Sequence, residues 1–213
     1  MKNSILLTGL FIGLASIANA QNDSDNREKL QLGAKAGLSY ANVYDTQGEE
    51  FDAEGKYGFS GGVFLTIPLV KYMGIQPELL FTQKGFRGTG KLLGGNYDFE
   101  RTTTFLEIPI LFALKPSEFI TVLVGPQFSY LLNQKDVFTS TAISYVQEQE
   151  FKNDNIRKNI LGVVGGLDIN INNVVISGRI GWDIQNNKGD GTSSTPRYKN
   201  VSSQFTIGYK FSS

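Results

Sequence analysis

The segment from 120 to 130 decides the fold class, and it reads ITVLVGPQFSY. Every second side chain is large and apolar, whereas the intervening side chains are mostly small or polar. A two-residue period is typical of a β-strand whose two faces meet different surroundings. The segment therefore predicts a strand with one apolar face, made of Ile120, Val122, Val124, Pro126, Phe128 and Tyr130.

Seven further segments alternate in the same way, and no stretch of useful length follows the helical period of 3.6 residues. The predicted strands cover residues 31–43, 57–68, 73–83, 97–113, 120–132, 158–171, 174–184 and 201–211. The connections between them alternate in length, with long ones at 44–56, 84–96, 133–157 and 185–200 and short ones at 69–72, 114–119 and 172–173. Long external loops and short periplasmic turns are typical of outer-membrane barrels. The sequence thus predicts an all-β fold, an eight-stranded antiparallel up-and-down transmembrane β-barrel.

The two faces of the predicted strands indicate which side meets the lipid. An eight-stranded barrel has a narrow interior, so the small and polar face fits inside and the large apolar face fits outside. Lipid offers no partner for an unpaired backbone group, which requires the sheet to close. Aromatic side chains near the strand ends are expected to form girdles at the two membrane interfaces: Tyr40, Phe59, Phe81, Phe128, Tyr130, Trp182, Tyr209 and Phe211.

The same alternation turns six charged side chains inward: Lys35, Glu78, Glu107, Asp168, Arg179 and Lys210. Three are positive and three are negative. The two-residue turn at 172–173 is expected to place Arg179 one diagonal step from Asp168 on the neighbouring strand, within reach of its long side chain. Because an unpaired charge in such a place is costly, we predict an interior network of ion pairs that bridges the lumen from carboxylates to cations. Such a network can be a structural plug, an ion path or a general acid–base pair. The balanced charges and the narrow lumen favour the structural plug.

Three prolines lie inside predicted strands: Pro77, Pro109 and Pro126. Each removes a hydrogen-bond donor from the ladder, and a closed barrel has no free edge to accommodate it. The sequence therefore predicts bulges or local widening of the ladder at these positions.

The N-terminal segment has the pattern of a secretory signal peptide, predicted at residues 1–20. Lys2 supplies the positive charge, residues 5–17 form the apolar region, and Ala18-Asn19-Ala20 matches a cleavage site. The barrel domain is then expected to occupy residues 21–213, beginning with a flexible periplasmic tail at 21–30.

Composition excludes several classes of function. The chain of 213 residues has no Cys and no His, which excludes disulfides, thiol nucleophiles, imidazole bases and the usual zinc sites. Lys and Arg together number 20, as do Asp and Glu, so no basic surplus suggests a nucleic-acid partner. We expect no cofactor, no metal and no catalytic residue, although catalysis by Glu78 and Glu107 alone is conceivable.

Two short motifs are interpreted as loop features rather than sites. The glycine-rich stretch 85–91 does not match a phosphate-binding loop and is predicted to be an external loop tip. The acidic run Glu49, Glu50, Asp52 and Glu54 does not have the spacing of a calcium loop and is predicted to be solvated.

Four segments carry a resemblance to a known family. They are QPELLFTQKG at 76–85, FLEIPIL at 105–111, GPQ at 125–127 and IGYKF at 207–211. Their order and spacing resemble the small outer-membrane barrels of Bacteroidota called PorT-like. The resemblance covers nearly all of the chain after residue 20 and implies an eight-stranded barrel in the outer membrane. The founding member of that family is tied to type IX secretion, and most relatives have no assigned activity.

The predicted function is that of an outer-membrane barrel with a structural or protein-interaction role, and not of an enzyme. The expected partners are outer-membrane lipid and envelope or secretion proteins, which would bind the external loops. The longest loop, 133–157, is suited to a hairpin extension around 139–146. Two alternatives remain open at this point: a narrow outer-membrane pore, and a soluble secreted barrel that binds an apolar ligand.

Overall fold

The computed structural model describes residues 26–45, 53–92, 95–140, 144–149, 158–185 and 198–211. The predicted signal peptide lies outside these residues, as do three members of the acidic run, Glu49, Glu50 and Asp52. Within the predicted tail, residues Asn26–Glu28 form one turn of 3-10 helix.

Nine strands follow this turn. Their bounds are β1 (Gln31–Asp45), β2 (Ala53–Val70), β3 (Met73–Leu92), β4 (Gly95–Leu114), β5 (Ile120–Ser140), β6 (Ser144–Gln149), β7 (Asn159–Ile171), β8 (Val174–Asp183) and β9 (Tyr198–Phe211). Apart from β6, each strand begins and ends within nine residues of its predicted bounds, and several bounds coincide. In the part of the chain that is described, no helix is long and apolar enough to cross a membrane.

Eight strands form a closed antiparallel ring. Each strand of the ring pairs with the next ring strand along the chain. Because β6 lies outside the ring, β5 pairs with β7, and the ring closes between β1 and β9. The closing register sets Lys35 opposite Gly208 and Gly33 opposite Lys210. The predicted eight-stranded up-and-down barrel is confirmed, and β6 is an addition that pairs with β5.

Three strands extend well past the others at the extracellular end. The ladder between β3 and β4 continues to Leu92 and Gly95, so the prediction of a loop at 84–96 was wrong. Glycines suggested a loop there, but the backbone groups of this stretch find partners across β4 and therefore stay in the sheet. In the loop predicted at 133–157, β5 runs on to Ser140 and pairs with β6. This confirms the expected hairpin extension.

The short turns lie at the periplasmic end, as predicted. Between β7 and β8 the chain turns at Asn172 and Asn173, and Asn172 has a φ of 52°. Asparagine tolerates this left-handed conformation, which the tightest hairpin turns require. The turn sets Ile171 opposite Val174 and fixes the register of both strands.

The prolines do not produce the predicted bulges. Pro77 pairs with Ile110 and Pro126 pairs with Val163 without a register shift, and Pro109 likewise pairs in register. Instead, the described strands shift register between Gly55 and Ser60, between Pro68 and Val70, and between Thr104 and Phe105. The predicted bulges are absent because losing one donor interrupts a ladder locally without requiring an extra residue. The ladders do lapse beside the prolines, since β3 and β4 form no pairs between Pro77 and Leu80, and β4 and β5 form none between Pro109 and Phe112, which agrees with the local widening predicted as the alternative.

Side-chain burial separates the two faces of the wall. The described inward side chains of β5 to β9 are mostly polar and buried, whereas the outward ones are large, apolar and exposed. On β5, for example, Gln127 and Ser129 are buried while Val124 and Phe128 are exposed. The core of the molecule is therefore the polar lumen, and the outer surface carries a continuous apolar belt.

Candidate functional site

The six charged side chains predicted to face the lumen all lie on its inner surface. Five of them are buried: Lys35, Glu78, Glu107, Asp168 and Arg179. Lys210 is only partly buried, because it lies next to the periplasmic end of β9. The five buried charges belong to two separate clusters of ion pairs, and Lys210 belongs to neither. The predicted interior network of carboxylates and cations therefore consists of two parts.

The periplasmic charge cluster consists of Lys35, Glu78, Asp168 and Arg179. Lys35 Nζ lies 2.5 Å from Glu78 Oε2, and Arg179 Nη1 lies 2.6 Å from Asp168 Oδ1. Arg179 Nη2 also lies 3.5 Å from Glu78 Oε1, so this carboxylate joins the two cations. Gln76 Nε2 donates to the same oxygen at 2.8 Å. The cluster holds two positive and two negative charges, which balances it.

The predicted neighbour relation between Asp168 and Arg179 is confirmed. Asp168 lies opposite Ser177 on β8, and Arg179 reaches it from one diagonal step along that strand. Gly166 lies directly opposite Arg179, and a Cβ there would come within 2.7 Å of Arg179 Cδ. The missing side chain at Gly166 therefore provides the room in which the guanidinium lies.

The extracellular charge cluster consists of Lys84, Glu107 and Asp183. Lys84 Nζ lies 2.7 Å from Glu107 Oε1 and 3.8 Å from Asp183 Oδ1. Glu107 has no exposed surface. Neutral amides donate to the same carboxylates: Gln127 Nε2 to Glu107 Oε1 at 2.9 Å, Gln204 Nε2 to Glu107 Oε2 at 3.0 Å, and Asn200 Nδ2 to Asp183 Oδ2 at 2.6 Å. The Lys84 ammonium thus lies within 4.0 Å of two carboxylates, Glu107 and Asp183.

Sequence reasoning missed two members of this cluster. Lys84 was assigned to a loop because the predicted third strand ended at Gln83. Asp183 was placed on the inward face of its strand but was not included in the network. The signal that could have found Lys84 is its parity, because it continues the inward series of Glu78 and Thr82 on β3.

A layer of uncharged side chains lies between the two clusters. Ser60 Oγ and Thr82 Oγ1 are 3.1 Å apart, and Ser60 Oγ lies 3.4 Å from Gln204 Oε1. Leu80, also buried, lies opposite Glu107 on the neighbouring strand. The lumen is therefore occupied by side chains along its length between the clusters.

The buried carboxylates are poorly suited to act as bases. Each carboxylate of the two clusters accepts hydrogen bonds from cations or amides, so its oxygens are already engaged. A general base must reach a proton on a substrate, and these oxygens lie in a packed interior. Among the described residues, no group of three or more Asp or Glu side chains is placed to hold a metal ion.

The extension of β3, β4 and β5 has ion pairs on both of its faces. On the inner face, Arg101 donates to Asp136 from Nε at 2.8 Å and from Nη2 at 2.7 Å. On the outer face, Glu100 lies 2.6 Å from Lys56 Nζ and 2.9 Å from Arg87 Nε. The hydrogen bond from Lys56, supported by Arg87, lowers the pKa of Glu100 below its usual value.

The inner face of the extension also holds an aromatic group. The guanidinium of Arg101 lies over the rings of Phe86 and Phe99, at 5.9 Å and 5.3 Å from their centroids. The two rings are 5.9 Å apart and tilted. Cation–π and aromatic contacts add to the bidentate ion pair, so this part of the wall is held by side chains as well as by the ladder.

The eight predicted girdle residues are all exposed on the outer wall. Six lie toward the extracellular side of the apolar belt: Tyr40, Phe59, Phe81, Phe128, Tyr130 and Trp182. Tyr209 and Phe211 lie at the periplasmic end of β9. Two exposed aromatic residues beside the short turns, Tyr72 and Phe119, were not predicted and lie at the same periplasmic level.

Comparisons with known proteins found one family and several solved structures that are similar to this chain. A family model described as outer membrane protein beta-barrel domain matches residues 19–189. Among solved structures, the attachment invasion locus protein Ail of Yersinia pestis is 14% identical with a TM-score of 0.46, over 85% of this chain and 98% of that one. Neisserial surface protein A is 11% identical with a TM-score of 0.48, over 86% and 100% of the two chains.

A third solved structure, OprG from Pseudomonas aeruginosa, is 11% identical with a TM-score of 0.41, over 89% of this chain and 100% of that one. No curated protein sequence matches the chain. At such identities the likeness to solved structures concerns the fold alone.

Proposed function

Because the chain belongs to the outer membrane protein beta-barrel domain family, we propose that it is a non-conducting barrel of the outer membrane that presents a rigid sheet to a protein partner outside the cell. The protein resides in the outer membrane, with its apolar belt facing lipid. Because the apolar face of the wall points outward, the alternative of a soluble secreted barrel that binds an apolar ligand is without support. The absence of enzymatic activity stays a prediction.

The observation that carries the non-conducting role is the packing of the lumen. The two charge clusters and the layer between them fill the interior with side chains whose exposed fractions are a few per cent or less. A narrow barrel that holds hydrogen-bonded ion pairs in this way has no continuous water path. We assign five of the six predicted charges, all but Lys210, together with Lys84 and Asp183, to this structural plug.

The extension supports the interaction role. From Lys84 to Leu92, β3 continues for nine residues past the predicted end, which is about 30 Å of extended chain. Bidentate pairing of Arg101 with Asp136 stiffens the sheet. A rigid surface loses little entropy when a partner binds, so a preorganised sheet suits protein recognition. The resemblance to PorT-like barrels supports a partner within an envelope or secretion complex.

A planar-bilayer recording tests the plug. The purified barrel is expected to give no steady conductance, and the variant Glu107→Gln is expected to give none either, because the neutral amide still fills the lumen. Steady conductance of the unmodified barrel that changes in Glu107→Gln or Arg179→Gln would instead establish the narrow pore.

Site-specific photocrosslinking in intact cells tests the interaction role. A photoreactive residue at Lys135, exposed on the outer face of the extension, is expected to give a discrete protein adduct. The same residue at Val124, on the apolar belt of the same strand, serves as the control and is expected to give none. Equal adducts at both positions, or no adduct at Lys135, would refute a partner that binds the extension.

A further inference from the structure

The periplasmic mouth of the lumen contains a polar cavity of about 80 Å³. Its inner wall comes from five different strands and includes Thr66, Gln76, Thr121, Asp168, Asn170 and Lys210. Pockets for drug-sized ligands measure about 300–1,000 Å³, whereas a single water needs about 10–15 Å³. The cavity is therefore the size of one small polar group and not of a whole organic ligand.

Lys210 brings a positive charge to this cavity without a counter-ion in contact. Its Nζ donates to the neutral Asn170 Oδ1 at 2.8 Å. Within residues 26–211, where described, no carboxylate oxygen lies within 4.0 Å of this ammonium. Asp168 also lines the cavity, but it is engaged by Arg179 at 2.6 Å. A partly buried ammonium that has only a neutral partner is costly, so binding of an anion next to it is favourable.

A second donor group lies on the wall of the same cavity. Asn170 Nδ2 donates to Thr121 Oγ1 at 3.1 Å, so the Thr121 hydroxyl acts as an acceptor in that bond. A hydroxyl can also donate once, and the described part of the chain offers Thr121 no acceptor. The buried amide of Asn170 thus orients both Lys210 and Thr121 on the wall of one cavity.

The rim of the cavity is formed in part by the N-terminal 3-10 turn. Arg27 and Lys115 line it together with one acidic residue, Glu118. Lys115 Nζ donates to the backbone oxygen of Arg27 at 2.9 Å, which holds the 3-10 turn against the mouth. On the inner wall Asp168 is paired with Arg179 at 2.6 Å, so Lys210 is the charge of that wall that has only a neutral partner among the described residues.

From these contacts we infer that the periplasmic mouth is a binding site for a single oxyanion group, held by the Lys210 ammonium and the Thr121 hydroxyl. The oxyanion is a free ion or solute of the periplasm, or the phosphate of a lipid headgroup in the inner leaflet. The site is separate from the proposed extracellular interaction surface, so each can fail without the other.

Inorganic phosphate is the probe for a direct test. The full barrel is folded in dodecyl maltoside, which carries no phosphate, and titrated with phosphate at constant ionic strength. The side-chain amide signals of Asn170 in an NMR spectrum are expected to shift saturably. Lys210→Gln is expected to weaken binding at least tenfold and Thr121→Val several-fold.

The matched control is Lys199→Gln, because Lys199 lies on the same strand at the extracellular end. It removes the same charge and is expected to leave binding unchanged. Gel mobility before and after boiling verifies that each variant is folded. No saturable shift at Asn170, or an equal affinity in Lys210→Gln, would overturn the site.

Nanodiscs distinguish the two sources of the oxyanion. One set contains phosphatidylglycerol, and the other contains a neutral galactolipid without phosphate. If the Asn170 signals are shifted in phosphatidylglycerol without added phosphate, the headgroup is the ligand. If they shift only on addition of phosphate in both discs, the ligand is a periplasmic anion. If they shift in neither case, the inference is wrong.

Discussion

The substitution Lys84→Met isolates the energetic contribution of the extracellular charge cluster. It removes the only described cation within 4.0 Å of Glu107 and Asp183 and leaves their packing nearly unchanged. The side chains of Lys84 and Glu107 are 2% and 0% exposed, so water cannot replace the lost partner. Removing one partner of a buried ion pair costs about 3–5 kcal/mol, and we expect a loss of this size.

Urea unfolding of the barrel in lipid vesicles measures this loss, with the folded fraction followed by gel mobility without boiling. The control is Arg87→Met, which removes a cation from the exposed pair with Glu100. The Arg87 side chain is 58% exposed, and such pairs contribute about 0–1 kcal/mol. The double variant Lys84→Met with Glu107→Gln should recover part of the loss, because one uncompensated charge is removed. A loss for Lys84→Met no larger than for Arg87→Met would refute the reasoning.

Three further predictions concern other parts of the wall. Gly166→Ala should cost about 1–3 kcal/mol in unfolding experiments, because its Cβ would come within 2.7 Å of Arg179 Cδ and 2.1 Å of a backbone oxygen. Lys56→Met should raise the pKa of Glu100 toward its ordinary value of 4.5, as measured by NMR titration of the carboxyl group, because the main cause of the lowering is removed. Val124→Arg should cost about 2–4 kcal/mol in vesicles, because the charge lies in the middle of the apolar belt.

The pKa of Glu100 also determines the sign of a pH effect. Because the folded protein lowers this pKa, the ionised carboxylate contributes stability that is fully present above pH 4.5. The contribution is lost as the pH falls through the lowered pKa of the folded state. Lys56→Met should therefore reduce the loss of stability on acidification, and an unchanged pH dependence would contradict the assignment.

Matched controls accompany the other two substitutions. Gly178→Ala introduces the same methyl group on the neighbouring strand, where a Cβ would meet nothing within 4 Å, and should be tolerated. Val137→Arg places the same charge on the outward face of β5 but within the extension, and should cost well under 1 kcal/mol. Equal losses of stability in Gly166→Ala and Gly178→Ala would show that Gly166 is not crowded. Equal losses in Val124→Arg and Val137→Arg would show that Val124 does not lie deeper in the lipid than Val137.

The alternation along the strands was enough to predict the barrel and the orientation of its wall. Every second residue of β5 faces outward as expected, from Ile120 to Tyr130, because a two-residue period follows directly from strand geometry. The diagonal pairing of Asp168 with Arg179 could also be predicted, since a two-residue turn fixes the register between β7 and β8.

The extent of the strands could not be predicted from local sequence. The stretch from Gly85 to Lys91 has the composition of a loop, yet it is held in β3 by pairing with β4, which is a contact between distant segments. Because the predicted third strand ended at Gln83, Lys84 was predicted to lie in a loop, and the extracellular charge cluster was not predicted. Bulges were likewise expected at the prolines but occur at positions such as Thr104, where the sequence carries no such signal.

The central claim is that the apolar face meets lipid and the polar face fills the lumen. Measuring how closely lipid approaches two residues on opposite faces of one strand tests this claim most directly. A fluorescent label is attached to a cysteine introduced at Val124 or at Ser129, on opposite faces of β5, in vesicles containing brominated lipid. Bromine is expected to quench the label at Val124 strongly and the label at Ser129 weakly or not at all. Stronger quenching at Ser129 than at Val124 would contradict the account, since the wall would then face the other way.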